Sequence, residues 1–196
     1  FLLPLMLQLW LGLSPFASGM LTFAASGGAL IMKFTAAPLL RRLGYKRVLL
    51  ANAVLSAGFI AVNAAFTPFT PHWIIVMLLL VGGFLRSLQF TALNALSYAE
   101  VEPQEMSRAT SFASVAQQVS LSCGVALAGF VLETMRADRG EMAVTQGDFA
   151  AAFRVVAVVS LTSLAYFVGL PRNAGAELTG RKPDLADPRS EVGPDH

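Results

Sequence analysis

Long apolar segments separated by short polar connections make up most of this chain. No Asp, Glu, Lys or Arg occurs in five blocks, which are residues 1–32, 48–85, 87–99, 109–132 and 155–171. A helix needs about 20 consecutive apolar residues to span a bilayer, and several of these blocks reach that length. The pattern predicts an all-α integral membrane protein with six helices, over residues 1–13, 17–40, 48–66, 73–99, 109–132 and 149–170.

The first predicted helix is too short to span a bilayer by itself, because Ser14-Pro15 ends it. The chain also starts at Phe1, with neither an initiator Met nor the basic leader of a signal peptide. We interpret Phe1 as an internal residue of a longer polypeptide, inside a truncated membrane helix.

The amino-acid composition supports a membrane location. Charged residues make up 13% of the chain, about half the roughly 25% found in soluble domains. The one cysteine, Cys123, lies in an apolar segment, and we interpret it as a small packing residue. Residues 171–196 differ from the rest because they are rich in Pro, Gly and charge, and they are predicted to form a disordered cytoplasmic tail.

The distribution of basic residues predicts the orientation, because cytoplasmic loops of membrane proteins carry an excess of Lys and Arg. Nine basic residues lie on one side of the predicted spans, against three on the other. The prediction is therefore a multi-pass protein of the cytoplasmic (inner) membrane with a cytoplasmic C-terminus. The nine residues are Arg41, Arg42, Lys46, Arg47, Arg108, Arg172, Arg181, Lys182 and Arg189, and the three are Arg136, Arg139 and Arg154.

Small residues recur inside the predicted spans and indicate closely packed helices. Membrane helices approach one another closely where Gly and Ala line the contact. The candidates for such contacts are Gly27-Gly28, Gly82-Gly83, the Ala53/Ala57 pair and the Gly124/Ala128/Gly129 group.

Arg86 is the most informative polar residue, since it lies near the middle of the fourth predicted span. An arginine at that depth costs about 2.5–3.5 kcal/mol even on lenient insertion scales, so it should face protein or water. The functional interpretation is a site for substrate or proton coupling, and the alternative is a hydrogen-bond donor to neighbouring carbonyls. Helical spacing places Gln89, Leu93 and Ser97 on the same side.

A second polar stripe lies on the fifth predicted helix and contains Gln118. Two interpretations stay open for Gln118: it lines an aqueous cavity shared with the Arg86 helix, or it makes plain interhelical hydrogen bonds. For the serines the second interpretation is preferred. Lys33 and Arg154 lie nearer to helix ends, where their side chains can extend to the membrane surface. The rest of the stripe is Ser111, Ser114, Ser122 and Gly129.

Several function classes find no support in the sequence. There is no phosphate-binding G-x-x-x-x-G-K-[ST] loop and no H-E-x-x-H motif, and the two histidines lie in a turn and in the tail. No metal, cofactor, nucleic acid or enzymatic reaction is expected. All twelve Asp and Glu lie in loops, at helix ends or in the tail, so a membrane carboxylate for proton coupling would belong to another part of the protein.

The loop after the second predicted helix reads Ala37-Pro-Leu-Leu-Arg-Arg-Leu-Gly-Tyr-Lys-Arg-Val-Leu49. It resembles the loop between helices 2 and 3 of a half of the major facilitator superfamily, G-x-L-a-D-r-x-G-r-k-x-x-l. The matching residues are Leu39, Arg42, Gly44 and Lys46. Ala37 replaces the first glycine and Arg41 the acidic residue, so this loop lacks the carboxylate that an acid-based gating role would need.

Two further segments are similar to one branch of this superfamily. The stretch from Leu80 to Thr91 resembles the l-x-x-x-R-x-x-q-G pattern of facilitator helix 4, with Arg86 and Gln89 matching and Phe90 in place of the glycine. The stretch from Leu5 to Pro15, and the start of the fifth helix, resemble fourteen-helix multidrug:proton antiporters of the EmrB/QacA type.

The resemblance implies the C-terminal six-helix half-bundle of a major facilitator fold, built from two inverted three-helix repeats. It implies export of small hydrophobic or drug-like molecules by proton antiport and alternating access, with Arg86 coupling and Gln89 and Gln118 lining the path. Expected partners are the N-terminal half, the bilayer, the substrate and protons. Whether a periplasmic adaptor also takes part is left open. The alternatives are an exporter of a specific metabolite and a non-transporting membrane fragment.

Overall fold

The protein folds as six helices joined by short connections, and the described residues contain no strand. The computed structural model describes residues 1–99, 101–140, 143–171, 174–175 and 178, so the predicted tail lies almost wholly outside the described residues. The predicted all-α architecture with six helices is confirmed. The helices are α1 Leu2–Leu9, α2 Pro15–Leu43, α3 Tyr45–Asn63, α4 His72–Ser97, α5 Met106–Arg139 and α6 Gln146–Gly169.

Helix α1 ends before residue 13, the end predicted from hydropathy. Gly12 adopts a φ of 68°, a conformation that favours glycine and terminates helices. Helix α2 then starts at Pro15, whose fixed φ suits the first helical position. The hydroxyl of Ser14 accepts a hydrogen bond from the Ala17 amide at 3.2 Å, which satisfies one of the free donors at this helix start.

Helix α5 extends beyond the predicted segment 109–132 at both ends, and the longer extension is polar. The apolar segment ends before Glu133, but the helix continues for two more turns. There Arg136 bonds back to Glu133 on the same face, Nε to Oε2 at 2.9 Å. Gly140, with a φ of 67°, ends the helix. Helix α6 starts three residues before its prediction, because Thr145 and Asp148 form a capping box there.

Five of the six helices, α2 to α6, are long and apolar enough to cross a membrane. Large apolar side chains such as Phe16 and Phe34 are almost fully exposed on α2. An apolar surface of this extent is unusual on a soluble monomer and suits contact with lipid.

From α2 onward each helix runs antiparallel to the next, as the two apolar clusters of the core show. One cluster joins α1 to the first turns of α2, α4 and α6 and to the last apolar turns of α5, around the fully buried Phe149. The other joins the end of α2, the start of α3 and the ends of α4 and α6, around Leu49. The bundle therefore has one core at each end.

The closest helix pair is α2 with α4, and glycines make the approach possible. A Cβ on Gly28 would lie 1.8 Å from the Leu80 carbonyl oxygen, and a Cβ on Gly83 would lie 1.9 Å from that of Ala25. Helix α3 packs along α6 and α4, whereas α5 packs mainly along α6.

Candidate transport site

Arg86 lies midway along α4, fourteen residues after His72 and eleven before Ser97. The side chain is exposed. Within the described part of the chain it makes neither a hydrogen bond nor an ion pair. In a bilayer this part of α4 is at the depth where an arginine facing lipid costs about 2.5–3.5 kcal/mol or more. Protein or water must therefore cover this face in the membrane.

The neighbours of Arg86 on α4 divide between two packing faces. Gly83 faces the α2 backbone, whereas a Cβ on Gly82 would lie 2.1 Å from the Phe59 ring of α3. Arg86 lies between these faces, and three exposed residues follow it on the same side, Phe90, Leu93 and Ser97. The open part of α4 is thus one charged group followed by a mostly apolar strip.

Gln89 turns from this strip toward α3, where it meets a residue that the sequence analysis missed. The buried Asn52 donates its Nδ2 hydrogens to the Leu85 carbonyl oxygen at 2.9 Å and to Gln89 Oε1 at 2.7 Å. Buried polar side chains are hydrogen-bonded in the great majority of proteins. A lone asparagine in an apolar helix is the signal that could have indicated this contact.

Helix α3 carries more buried polar atoms in the same row. The hydroxyl of Ser56, one turn after Asn52, has no hydrogen-bond partner among the described residues, and neither does Asn52 Oδ1. Asn63 donates to the Phe59 carbonyl of its own helix at 2.8 Å. Asn52, Ser56 and Asn63 lie on one face of α3. The α3–α4 contact therefore has a polar centre within an apolar bundle.

The polar stripe of α5 forms local hydrogen bonds. Ser111, Ser114 and Ser122 each donate to the carbonyl four residues earlier, at 2.9, 2.8 and 3.0 Å. This is the ordinary arrangement of serine inside a helix. Gln118 is exposed on the same helix, and α4 and α5 are not packed along each other. The structure therefore brings Gln89 close to Arg86 but leaves Gln118 on a separate helix.

The four residues of the loop motif meet at the α2–α3 junction. Gly44 has a φ of 80°, which glycine adopts without strain and which separates the two helices. Lys46 donates its ammonium hydrogens to the carbonyl oxygens of Val168, at 2.8 Å, and of Leu170. A cation at the negative end of a helix stabilises that end. Of the other two motif residues, Leu39 is half-buried and Arg42 is exposed.

At the opposite end of the bundle, Asp148 is buried in the first turn of α6 and is 3% exposed. It accepts hydrogen bonds from the Thr145 amide at 2.8 Å, from the Thr145 hydroxyl at 3.1 Å and from the Arg139 guanidinium. The carboxylate joins the end of α5 to the start of α6 and is far from mid-membrane depth. The described residues contain no group of His, Cys, Asp and Glu that could hold a metal ion.

Comparison with known families gives one clear match. The model of the Major Facilitator Superfamily matches residues 1–192, almost the whole chain. Among curated relatives, the “Putative multidrug resistance protein MdtD” of Pectobacterium carotovorum is 29% identical over 171 residues, covering 87% of this chain and 35% of the relative. MdtD of Pectobacterium atrosepticum is 32% identical over 132 residues, covering 67% of this chain and 28% of the relative.

A third relative, MdtD of Yersinia pestis (strain Pestoides F), is 28% identical over 180 residues, covering 90% of this chain and 38% of the relative. The chain thus spans about a third of the length of the curated relatives it matches. No solved structure matches it. The matched family consists of membrane transporters and not of enzymes.

Proposed function

The chain belongs to the major facilitator superfamily, and we propose that it forms part of a transporter that exports small hydrophobic or drug-like molecules across the cytoplasmic membrane. The multidrug resistance names of its relatives support the substrate class. We further propose proton antiport with alternating access. In this proposal the C-terminus is cytoplasmic and the six helices pack against an N-terminal half of the same transporter.

One observation carries the proposal, which is the unpaired mid-helix guanidinium of Arg86 on the open face of α4. A permanent charge at this depth is energetically costly. Charged residues inside membrane spans are therefore found mainly where they act on an ion or a substrate. The apolar strip of Phe90 and Leu93 beside it suits a hydrophobic molecule, whereas the arginine suits a polar end or a proton-carrying partner. Gln118 on α5 would contribute to the path from the other side.

The test replaces Arg86 by alanine in cells and in inverted membrane vesicles that carry the protein. We expect dye export driven by a proton gradient to fall to the background rate, while the amount of protein in the membrane stays normal. Arg154→Ala is the matched control, because Arg154 is also an exposed arginine of a membrane-spanning helix, and it should export at the wild-type rate.

Three results would count against the proposal. Wild-type export by Arg86→Ala would remove the role of the arginine. Resistance to one compound only, with no export of chemically unrelated dyes, would favour an exporter of a specific metabolite. Loss of the proton gradient with a protonophore should stop export, and continued export would exclude proton coupling.

A further inference from the structure

The orientation of the buried Asn52 amide follows from the chemistry of its neighbour. One terminal atom of Asn52 lies 2.9 Å from the Leu85 carbonyl oxygen. A backbone carbonyl only accepts hydrogen bonds, so this atom must be the amide nitrogen. The side chain is 2% exposed, and it bridges α3 to α4.

The same nitrogen determines the orientation of Gln89. It lies 2.7 Å from a terminal atom of Gln89, and two amide nitrogens do not bond to each other, so that atom is the oxygen Oε1. The Gln89 nitrogen Nε2 is left over. Within the described residues it has no hydrogen-bond partner and is not enclosed. The half-buried Gln89 therefore offers two free N–H donors, while its oxygen is turned toward Asn52 and already accepts a hydrogen bond.

Arg86 offers the same kind of group one turn away. Residues three apart are neighbours on a helix surface, and a guanidinium carries five donors and no acceptor. Helices α3 and α4 contain no Asp or Glu, so neither helix supplies a carboxylate to these donors. Mid-membrane donors without acceptors favour an incoming group that accepts hydrogen bonds.

We infer that Asn52 is a positioning residue that holds Gln89 as a donor, and that Arg86 and Gln89 together select ligands carrying an acceptor group such as a sulfonate, carboxylate or carbonyl. This inference rests on the proposed transport function, because a ligand must reach the middle of α4. It narrows the substrate class from hydrophobic molecules in general to amphipathic molecules with an acceptor.

Two fluorescent dyes with the same ring system test the acceptor. 1-Anilinonaphthalene-8-sulfonate carries a sulfonate, and N-phenyl-1-naphthylamine lacks it. Binding of each is titrated to the protein in nanodiscs, with empty nanodiscs subtracted. The wild type should bind the sulfonate dye more tightly. Gln89→Glu, which replaces the donors by a carboxylate, should weaken sulfonate binding at least tenfold and leave the other dye unchanged. Gln89→Lys keeps a donor and should retain the preference.

Asn52→Ala tests the positioning role through the ratio of the two affinities. Without Asn52 the Gln89 amide can rotate and present its oxygen, so the preference for the sulfonate dye should fall several-fold with binding of the neutral dye unchanged. Asn63→Ala is the matched control, because this buried asparagine of the same helix bonds only to its own helix. It should keep the wild-type ratio.

The outcomes separate this inference from the proposed function. If the wild type exports dyes but shows no preference for the sulfonate, or if Gln89→Glu weakens both dyes equally, the donor site is overturned and the transport proposal stands. If the wild type exports no dye at all, the proposed transport function itself is refuted. Should Asn52→Ala not fold, the Gln89→Glu and Gln89→Lys pair decides the outcome.

Discussion

Replacing Gly83 by alanine should push α2 and α4 apart, because backbone atoms occupy the space that a methyl group needs. A Cβ on Gly83 would lie 1.9 Å from the Ala25 carbonyl oxygen and 2.7 Å from its Cα. On the partner helix, a Cβ on Gly28 would lie 1.8 Å from the Leu80 carbonyl oxygen. Each of the two glycines thus packs against the backbone of the other helix, and neither helix can relieve a clash by rotating a side chain.

The magnitude follows from the displacement. Ordinary carbon–oxygen contact between helix backbones is about 3.3 Å, so relief of the clash requires a shift of roughly 1.4 Å. A gap of about 0.5–1 Å already removes a quarter to a half of each dispersion contact. Overpacking in general costs about 1–3 kcal/mol. Because the most extensive helix pair is affected, we expect a loss near 3 kcal/mol, the upper end of that range.

The assay is thermal unfolding of the purified protein in detergent, followed by size-exclusion chromatography of the heated samples. Gly83→Ala and Gly28→Ala should lower the unfolding midpoint by about 6–12 °C, taking roughly 2–4 °C per kcal/mol for a chain of this size. The control is Gly27→Ala, since a Cβ on Gly27 meets no atom within 4 Å. If Gly83→Ala unfolded at the same temperature as Gly27→Ala, the close-contact reasoning would be refuted.

Two further predictions concern the ends of the bundle. Lys46→Met should destabilise the last turn of α6 by about 1 kcal/mol through loss of charged hydrogen bonds to its carbonyls, seen as faster amide exchange there, and the exposed neighbour Arg47→Met should leave that exchange unchanged. Asp148→Ala should cost roughly 3 kcal/mol because it removes a helix cap and one side of a largely buried ion pair, which would lower the unfolding midpoint. Glu133→Ala, at an exposed ion pair on α5, should leave the midpoint unchanged, and an equal effect of the two substitutions would contradict the role of burial.

Much of the fold could be predicted from the sequence because the membrane imposes simple rules. Long charge-free segments and the Pro and Gly residues between them indicated six helices. The boundaries were less accurate where polar residues continue a helix, as at the end of α5. Hydropathy does not detect an i,i+3 ion pair or a capping box, and these local contacts extended α5 and moved the start of α6 to Gln146.

The candidate site was predictable only in part. Arg86 is identifiable from its depth alone, because a charge inside an apolar span is energetically costly and therefore rare. Gln89 and Asn52 are separated by 37 positions along the chain, so no local pattern could pair them. Their contact depends on how α3 packs on α4, and this packing also decides which atom of Gln89 remains free.

The glycine pairs show most clearly where sequence ends and tertiary structure begins. Small residues at Gly27-Gly28 and Gly82-Gly83 indicated that helices approach closely in these regions. The sequence could not choose between adjacent glycines, because neighbours on a helix point about 100° apart and either could face the partner. Only the packing of α2 on α4 turned Gly28 and Gly83 toward backbone atoms, while Gly82 meets the Phe59 ring and Gly27 is open. Local composition fixes which segments are helices in a membrane, but the rotation of each helix depends on all its neighbours at once.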